Sequence, residues 1–177
     1  IDQDQPQYQF CAYVYNQYRR STDGGNSWST INFSGSAGQF INPFDYDNTN
    51  NKLYAAHNAG YYLRWDDPQT GSTSSTLAIS AFNGAKVSNV KVSPFTSNRV
   101  YFGTAGGRVV RVDNANTASP TATNLTSASM AGYVSCINVG TSDQYLIACF
   151  SNYGVMNVWV STDGGTTWTA IVNTTDS

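Results

Sequence analysis

The amino-acid sequence predicts an all-β protein built from a repeat of about 47 residues. Three observations lead to this prediction. Only 11% of the residues are charged, whereas helix surfaces usually carry many Glu and Lys side chains. Apolar and polar residues alternate along several short runs, and one eight-residue motif occurs twice. With 40% apolar residues, the chain can bury a sizeable core.

The charge pattern narrows the classes of partner. All eleven acidic residues are Asp, the nine basic residues are scattered, and the formal net charge is −2. Neither a nucleic acid nor an anionic membrane surface is therefore an expected partner. No apolar run approaches the roughly 20 residues of a membrane-spanning helix. The low charge suggests a secreted or cell-surface protein, and a start at Ile1 suggests a processed chain or a fragment.

The three cysteines, Cys11, Cys136 and Cys149, do not form a disulfide framework, because at least one must stay unpaired. Cys136 and Cys149 fall in two strands that we expect to be neighbours, so whether they are bridged stays open. The sequence has one His and no CxxC motif, so neither a zinc site nor any other cofactor is expected.

The repeated motif sets the length of the repeat. Residues 21–28 read STDGGNSW and residues 161–168 read STDGGTTW, which places Asp23 and Asp163 140 residues apart. Two degenerate copies between them would give a unit of about 47 residues, the size of a four-stranded β-propeller blade.

Alternating runs support this division. Runs with similar patterns begin at Lys52, Arg99 and Gln144. Each is followed by a turn containing Gly or Asn and a second alternating run, over residues 61–65, 107–112 and 155–160. Strands joined by hairpins have this period of two.

The prediction is therefore one propeller segment over residues 1–177, with a partial blade at 7–33 and blades at 38–82, 86–126 and 131–173. The partial blade lacks its innermost strand, because residues 8–13 resemble 145–150, the second strand of the last blade. Propellers usually have about 4–8 blades. The ring would be incomplete, or completed by other blades or by self-association through open strand edges.

Both motif copies match the Asp-box pattern Ser-x-Asp-x-Gly-x-Thr/Ser-Trp, so the chain resembles the Asp-box, or BNR-repeat, family of β-propellers. The resemblance implies a turn from the third to the fourth strand, in which Ser and Asp accept hydrogen bonds and Trp returns the chain to the core. The structural residues are then Ser21, Asp23, Gly25, Trp28, Ser161, Asp163, Gly165 and Trp168. The family includes sialidases, xyloglucan-active hydrolases and sortilin-type receptors, so it does not fix the function.

The resemblance to hydrolases gives no catalytic residue. A sialidase needs a Glu, which the sequence lacks. A xyloglucanase-type enzyme needs two Asp facing each other across a cleft. The candidates are Asp45, Asp47, Asp66, Asp67, Asp113 and Asp143, but Asp in turns is typically a local hydrogen-bond acceptor.

Blade geometry places the ligand face at the loops between second and third strands and between blades. Its candidate residues are His57, Asn58, Tyr61, Arg108, Asn152 and Tyr153, with Thr104 and the loops at 34–40 and 127–133. Aromatic and amide groups suit binding to a glycan or an extracellular protein, although they can also simply close hairpins. The main hypothesis is a non-catalytic extracellular segment for binding or adhesion. The alternative is a fragment of a secreted glycoside hydrolase whose catalytic residues lie outside this chain.

Overall fold

The computed structural model describes residues 1–33 and 37–171, which form four antiparallel sheets. We name the sheets blade 1 to blade 4 in chain order. They confirm the predicted all-β propeller architecture, with one three-stranded and three four-stranded sheets. The described residues include a single helix, the 3₁₀ turn Ser80–Phe82. None of their helices is long and apolar enough to cross a membrane.

The strands follow one another in chain order within each blade. Blade 1 contains β1 (Gln9–Ala12), β2 (Gln17–Ser21) and β3 (Ser29–Asn32). Blade 2 contains β4 (Phe44–Asp47), β5 (Lys52–Ala56), β6 (Tyr61–Trp65) and β7 (Ser74–Ala78). Blade 3 contains β8 (Val87–Val92), β9 (Val100–Thr104), β10 (Val109–Asp113) and β11 (Thr121–Asn124). Blade 4 contains β12 (Val134–Val139), β13 (Leu146–Phe150), β14 (Val158–Ser161) and β15 (Thr169–Ala170).

The register shows which strand blade 1 lacks. Phe10 on β1 pairs with Arg20 on β2 as Tyr54 on β5 pairs with Arg64 on β6. β1 therefore corresponds to a second strand, and the described part of blade 1 has no inner strand.

The core lies between the blades, because neighbouring sheets pack face to face. One cluster joins blades 1 and 2 around Trp65, one joins blades 2 and 3 around Phe102, and one joins blades 3 and 4 around Trp159. The alternation of side chains along each strand supplies one face to each neighbour. The half-buried strands of the sequence prediction are thus buried on both faces where a blade lies between two others.

Two sheet faces have no neighbour among the described residues. On blade 4 the open face carries Ile147, Cys149, Val158 and Val160, which are apolar and only half-buried. On blade 1 the open face includes Arg19, whose guanidinium lies 5.6 Å from the centre of the Tyr13 ring. The two open faces thus differ in polarity.

One predicted placement needs correction. Asp45 and Asp47 were predicted in a turn, but they lie in β4, because the ladder continues to the pair Asp47 and Lys52. Cys136 and Cys149 are neighbours across β12 and β13, as expected, and both are free thiols. Burial, followed by the nearby Cys136, raises the pKa of the Cys149 thiol.

Candidate functional site

The blades present two different ends to solvent. Because the strands are antiparallel, connections alternate between these ends. The turn face holds the turns from first to second and from third to fourth strands. The loop face holds the hairpins between second and third strands and the connections between blades. Its described segments are 13–16, 37–43, 57–60, 79–86, 105–108, 125–133 and 151–157.

On the turn face, the first copy of the repeated motif, residues 21–28, closes on itself through Ser21 and Asp23. The Ser21 hydroxyl donates to Asp23 Oδ1 at 2.7 Å and accepts the amide of Gly25 at 2.8 Å. Asp23 also accepts the Ser27 amide at 2.9 Å and the Ser27 hydroxyl at 2.6 Å. Gly25 has φ +94°, a left-handed conformation that favours glycine. Both side chains therefore have partners within their own turn.

The second segment repeats this geometry. Ser161 donates to Asp163 at 2.8 Å and accepts the Gly165 amide at 2.9 Å. The hydroxyl of Thr167 donates to Asp163 Oδ2 at 2.6 Å. Hydrogen bonds from Ser27 and Thr167 lower the pKa values of Asp23 and Asp163 to about 2. A carboxylate held in this way is ionised at neutral pH, and its contacts lie within its own turn.

The two motif tryptophans differ, and one prediction is wrong. Trp28 does not return to the core: it is 44% exposed, and its Nε1 donates to the carbonyl of Gly25 in its own turn. Trp168 packs partly buried between blades 3 and 4 and donates to the carbonyl of Leu125 at 2.8 Å. The difference arises because blade 3 lies against the turn of blade 4, whereas no described sheet lies beyond blade 1.

The corresponding turn of blade 2, between β6 and β7, keeps part of these hydrogen bonds. Asp67 accepts the amide and the hydroxyl of Thr73 at 2.7 and 2.9 Å, as Asp23 does with Ser27. Asp66 instead forms an ion pair with Arg64 at 2.5 Å. These aspartates are occupied by local contacts and do not face each other across a cleft.

Two further aspartates join blades. Asp45 Oδ2 accepts the amide of Val92, on the first strand of blade 3, at 2.9 Å. Asp143, in the first turn of blade 4, is buried among side chains of blade 3. It accepts hydrogen bonds from Ser93, Thr96, Arg99 and Tyr101. Burial alone would raise the pKa of Asp143, but these hydrogen bonds outweigh it and the pKa is lowered.

The loop face carries the six residues predicted as ligand-binding, at or beside its hairpins. His57 is only 7% exposed, and burial lowers the pKa of its imidazole, which favours the neutral form. Asn58 is exposed, and Tyr61 is partly exposed at the start of β6. Of these three, Asn58 and Tyr61 can contact a ligand without rearrangement.

The other three predicted residues lie on blades 3 and 4. Arg108 is half-buried, and its amide donates to the hydroxyl of Thr104 at 2.9 Å. Asn152 accepts the Tyr133 amide, which ties its hairpin to the connection between blades 3 and 4. Tyr153 is fully exposed. Residues 34–36 of the predicted 34–40 loop lie outside the described residues.

Sequence reasoning missed part of this surface. Most of the exposed large apolar side chains of the described chain lie on the loop face: Tyr13, Tyr15, Phe40, Ile41, Tyr61, Tyr133, Tyr153 and Met156. Tyr15 and Phe40 form an edge-to-face pair with ring centres 6.4 Å apart. Tyr13, Tyr15, Ile41 and Met156 were not predicted. Matching the partial blade to the other hairpins would have found the first two.

The loop face is braced by hydrogen bonds between neighbouring loops. The amide of Tyr15 donates to the carbonyl of Gln39 at 2.8 Å, and that of Gly60 donates to Ala85 at 2.9 Å. The amide of Ala105 likewise donates to the carbonyl of Lys86 at 2.9 Å. These contacts join each hairpin to an adjacent connection, so the loops are held in fixed positions relative to one another.

The loop face and the turn face differ in their charged residues. None of the described loop-face segments contains Asp, and they carry the cations Lys86 and Arg108. The described aspartates lie instead in the strands and on the turn face, where arginines accompany them. In residues 1–33 and 37–171, no three His, Cys or Asp side chains form a group that could hold a metal ion.

No protein-family model matches the chain, and the search of curated proteins found no relative. Among solved structures, the chain is similar to YCF48 from Cyanidioschyzon merolae, with 14% sequence identity and a TM-score of 0.68. It is also similar to YCF48 bound to D1 peptide, with 16% identity and a TM-score of 0.59. A GH74 enzyme from Niastella koreensis gives 16% identity over 89% of this chain and 29% of its own, with a TM-score of 0.41, too low to support an argument.

The chain corresponds to about half of each YCF48 structure. The similarity covers 94% of this chain and 56% of the first, and 90% of this chain and 48% of the second. At these identities the similarity shows the propeller fold alone.

Proposed function

We propose that this chain is a non-catalytic, Asp-box-type propeller segment that binds a peptide or an exposed loop of a partner protein on its loop face. The observation that carries the proposal is the row of exposed aromatic and aliphatic side chains on a braced surface without carboxylates. Tyrosine, phenylalanine and methionine are enriched in protein interfaces. The peptide in one of the YCF48 structures supports a peptide ligand for this fold.

The charges of the loop face define the partner further. Lys86 and Arg108 are its only Lys or Arg residues within the described segments, and no Asp opposes them. A neutral or mildly acidic peptide with apolar side chains is therefore favoured over a basic one. A glycan is the alternative ligand, since exposed tyrosines can also stack on sugars. A glycoside hydrolase would have to take its catalytic carboxylates from elsewhere, because none lies on the described loop face.

The setting proposed for this function is the cell exterior or cell surface, where further blades complete the ring. The polarity of the open sheet faces of blades 1 and 4 favours one way of completing the ring. Two copies meeting through them would place Arg19 of blade 1 against Val158 and Val160 of blade 4, which would bury a charge on an apolar surface. A further blade with an apolar face fits blade 4 better than self-association does.

Peptide selection tests the proposal. A phage-displayed library of random peptides is selected on the immobilised chain, and the dissociation constants of the recovered peptides are measured by calorimetry. We expect Phe40→Ser and Tyr153→Ser each to weaken binding by about tenfold or more, because each removes an exposed aromatic anchor.

The chain offers matched controls on the turn face. Phe95 and Tyr145 are 53% and 49% exposed, comparable to exposed aromatic residues of the loop face. Phe95→Ser and Tyr145→Ser should leave the affinity within about twofold. Equal losses in both pairs of variants would contradict the proposal. Binding to a glycan array that depends on Phe40 and Tyr153, with no peptide recovered, would establish the alternative ligand.

A further inference from the structure

Three arginines occupy the same position in three consecutive blades. Arg20, Arg64 and Arg111 lie on the third strand of their blades, opposite Phe10, Tyr54 and Tyr101 of the second strand. This equivalence allows the surroundings of one arginine to be compared directly with those of the others.

The first two arginines bind main-chain carbonyls of the next blade. Arg20 Nη1 donates to the carbonyls of Pro68 and Gly71 at 3.3 and 2.8 Å. Arg64 Nη1 donates to the carbonyls of Ala115 and Thr117 at 3.3 and 2.9 Å. In both cases the acceptors belong to the turn from the third to the fourth strand. Each guanidinium therefore holds two carbonyl oxygens that are close together in one peptide segment.

Arg111 departs from this arrangement. Its Nε forms an ion pair with Asp113 at 3.0 Å, as Arg64 does with Asp66. Within residues 1–33 and 37–171, however, its two terminal nitrogens donate to no carbonyl of the blade 4 turn. That turn is closed on itself through Asp163, and it packs beside Leu125: a Cβ on Gly165 would lie 2.8 Å from that side chain.

A cleft of about 620 Å³ lies between blades 3 and 4. It separates the Arg111 guanidinium from the carbonyls of the blade 4 turn. Its walls include Arg99, Arg111, Asn124, Leu125, Gln144 and Trp168. The side chain of Arg111 is 27% exposed, so it is reachable from solvent. The outer strand β11 also borders the cleft, and no described strand pairs with its outer side. Within the described residues, the cleft thus combines guanidinium donors that bind no carbonyl with an unpaired strand edge.

The charge around the cleft favours a neutral ligand. Arg99 is paired with both Asp113 and Asp143, and Arg111 shares Asp113. Asp163 adds a further negative charge. A phosphate or sulfate group would meet this excess of carboxylates, whereas a carbonyl oxygen would accept the hydrogen bonds without added repulsion.

We infer that this cleft is a second binding site, which takes a short peptide segment whose two main-chain carbonyls accept hydrogen bonds from Arg111. The bound segment occupies the place that the next blade's turn occupies beside Arg20 and Arg64. Trp168 supplies an apolar wall, and the edge of β11 supplies main-chain hydrogen-bonding groups. The site lies away from the loop face and does not depend on the function proposed for it.

Nuclear magnetic resonance tests this site with a probe taken from the protein itself. The blocked, uncharged peptide copying residues 114–119 contains the carbonyls that Arg64 binds. Titrated into the ¹⁵N-labelled chain, it should shift the Arg111 Nε–Hε signal and the amides of residues 123–127 and 164–168, and the shifts should saturate. The variant R111Q should raise the dissociation constant by about tenfold or more.

A control variant, a variant that narrows the cleft and inorganic phosphate as an alternative ligand distinguish specific peptide binding from other causes of the shifts. Arg19→Gln, on the open face of blade 1 and outside both proposed sites, should leave the affinity unchanged. Thr166→Tyr narrows the cleft from an exposed turn position and should weaken binding with Arg111 intact. Shifts that do not saturate, or that persist in R111Q and T166Y, would overturn the inference. Stronger saturating shifts with inorganic phosphate than with the peptide would overturn it in favour of an anion site.

Discussion

Replacing Trp65 with alanine should destabilise the chain by about 4 kcal/mol, the largest single effect we expect. Trp65 is fully buried between blades 1 and 2. Its ring centre lies 5.8 Å from that of Phe10, 5.9 Å from that of Tyr18 and 5.2 Å from that of Phe33. Alanine would leave a cavity in this aromatic cluster. Urea denaturation followed by circular dichroism measures the change in the free energy of unfolding.

The matched control is Trp28→Ala, which removes the same side chain from an exposed turn. Because Trp28 lies outside the core, the expected loss is below about 1 kcal/mol. Similar losses in the two variants would mean that the interface between blades 1 and 2 is not packed around Trp65.

Asp143→Ala should cost about 3 kcal/mol, because it leaves buried donors of blade 3 without their acceptor. The Ser93 hydroxyl, the Tyr101 hydroxyl and Arg99 Nη1 lie 2.7, 3.1 and 3.2 Å from the Asp143 carboxylate. Denaturation at pH 7 measures the loss. Asp4→Ala, which removes an exposed carboxylate, is the control and should change the free energy of unfolding by less than about 0.5 kcal/mol.

The Asp143 effect should also depend on pH. The folded-state pKa of Asp143 lies below the ordinary value of 3.8. The ionised carboxylate therefore stabilises the fold fully above that value, and its contribution declines as the pH falls through the folded pKa. The difference in stability between wild type and Asp143→Ala should narrow below about pH 4. A difference that stays constant from pH 7 to pH 2.5 would show that the charge of Asp143 does not contribute.

The repeat could be predicted because its signals are local. The hairpins and the turns of the repeated motif depend on residues within a few positions of each other, such as Ser21, Asp23 and Ser27. The contacts between blades could not be predicted in this way. Asp143 looks like an ordinary turn residue in the sequence, yet its partners Ser93 and Tyr101 lie 50 and 42 residues away in the chain.

The candidate site residues also divide into those that a local sequence pattern predicts and those whose environment depends on distant contacts. Tyr153 and Asn58 could be placed in exposed hairpins because they follow strands that the sequence pattern reveals. The burial of His57 depends on the packing of its loop against neighbouring segments, which no local pattern records. Trp28 and Trp168 occupy identical motifs, and only the presence of blade 3 beside one of them distinguishes their environments.

A footprint of a selected peptide on the chain tests the central claim most directly. Hydrogen–deuterium exchange is measured on the free chain and on the chain saturated with a peptide recovered by selection. The account predicts slower exchange in the loop-face segments 13–16, 37–43 and 151–157, with the turn at 21–28, which lies outside both proposed sites, unchanged. Protection confined to the turn face, with the loop-face segments exchanging as in the free chain, would contradict it.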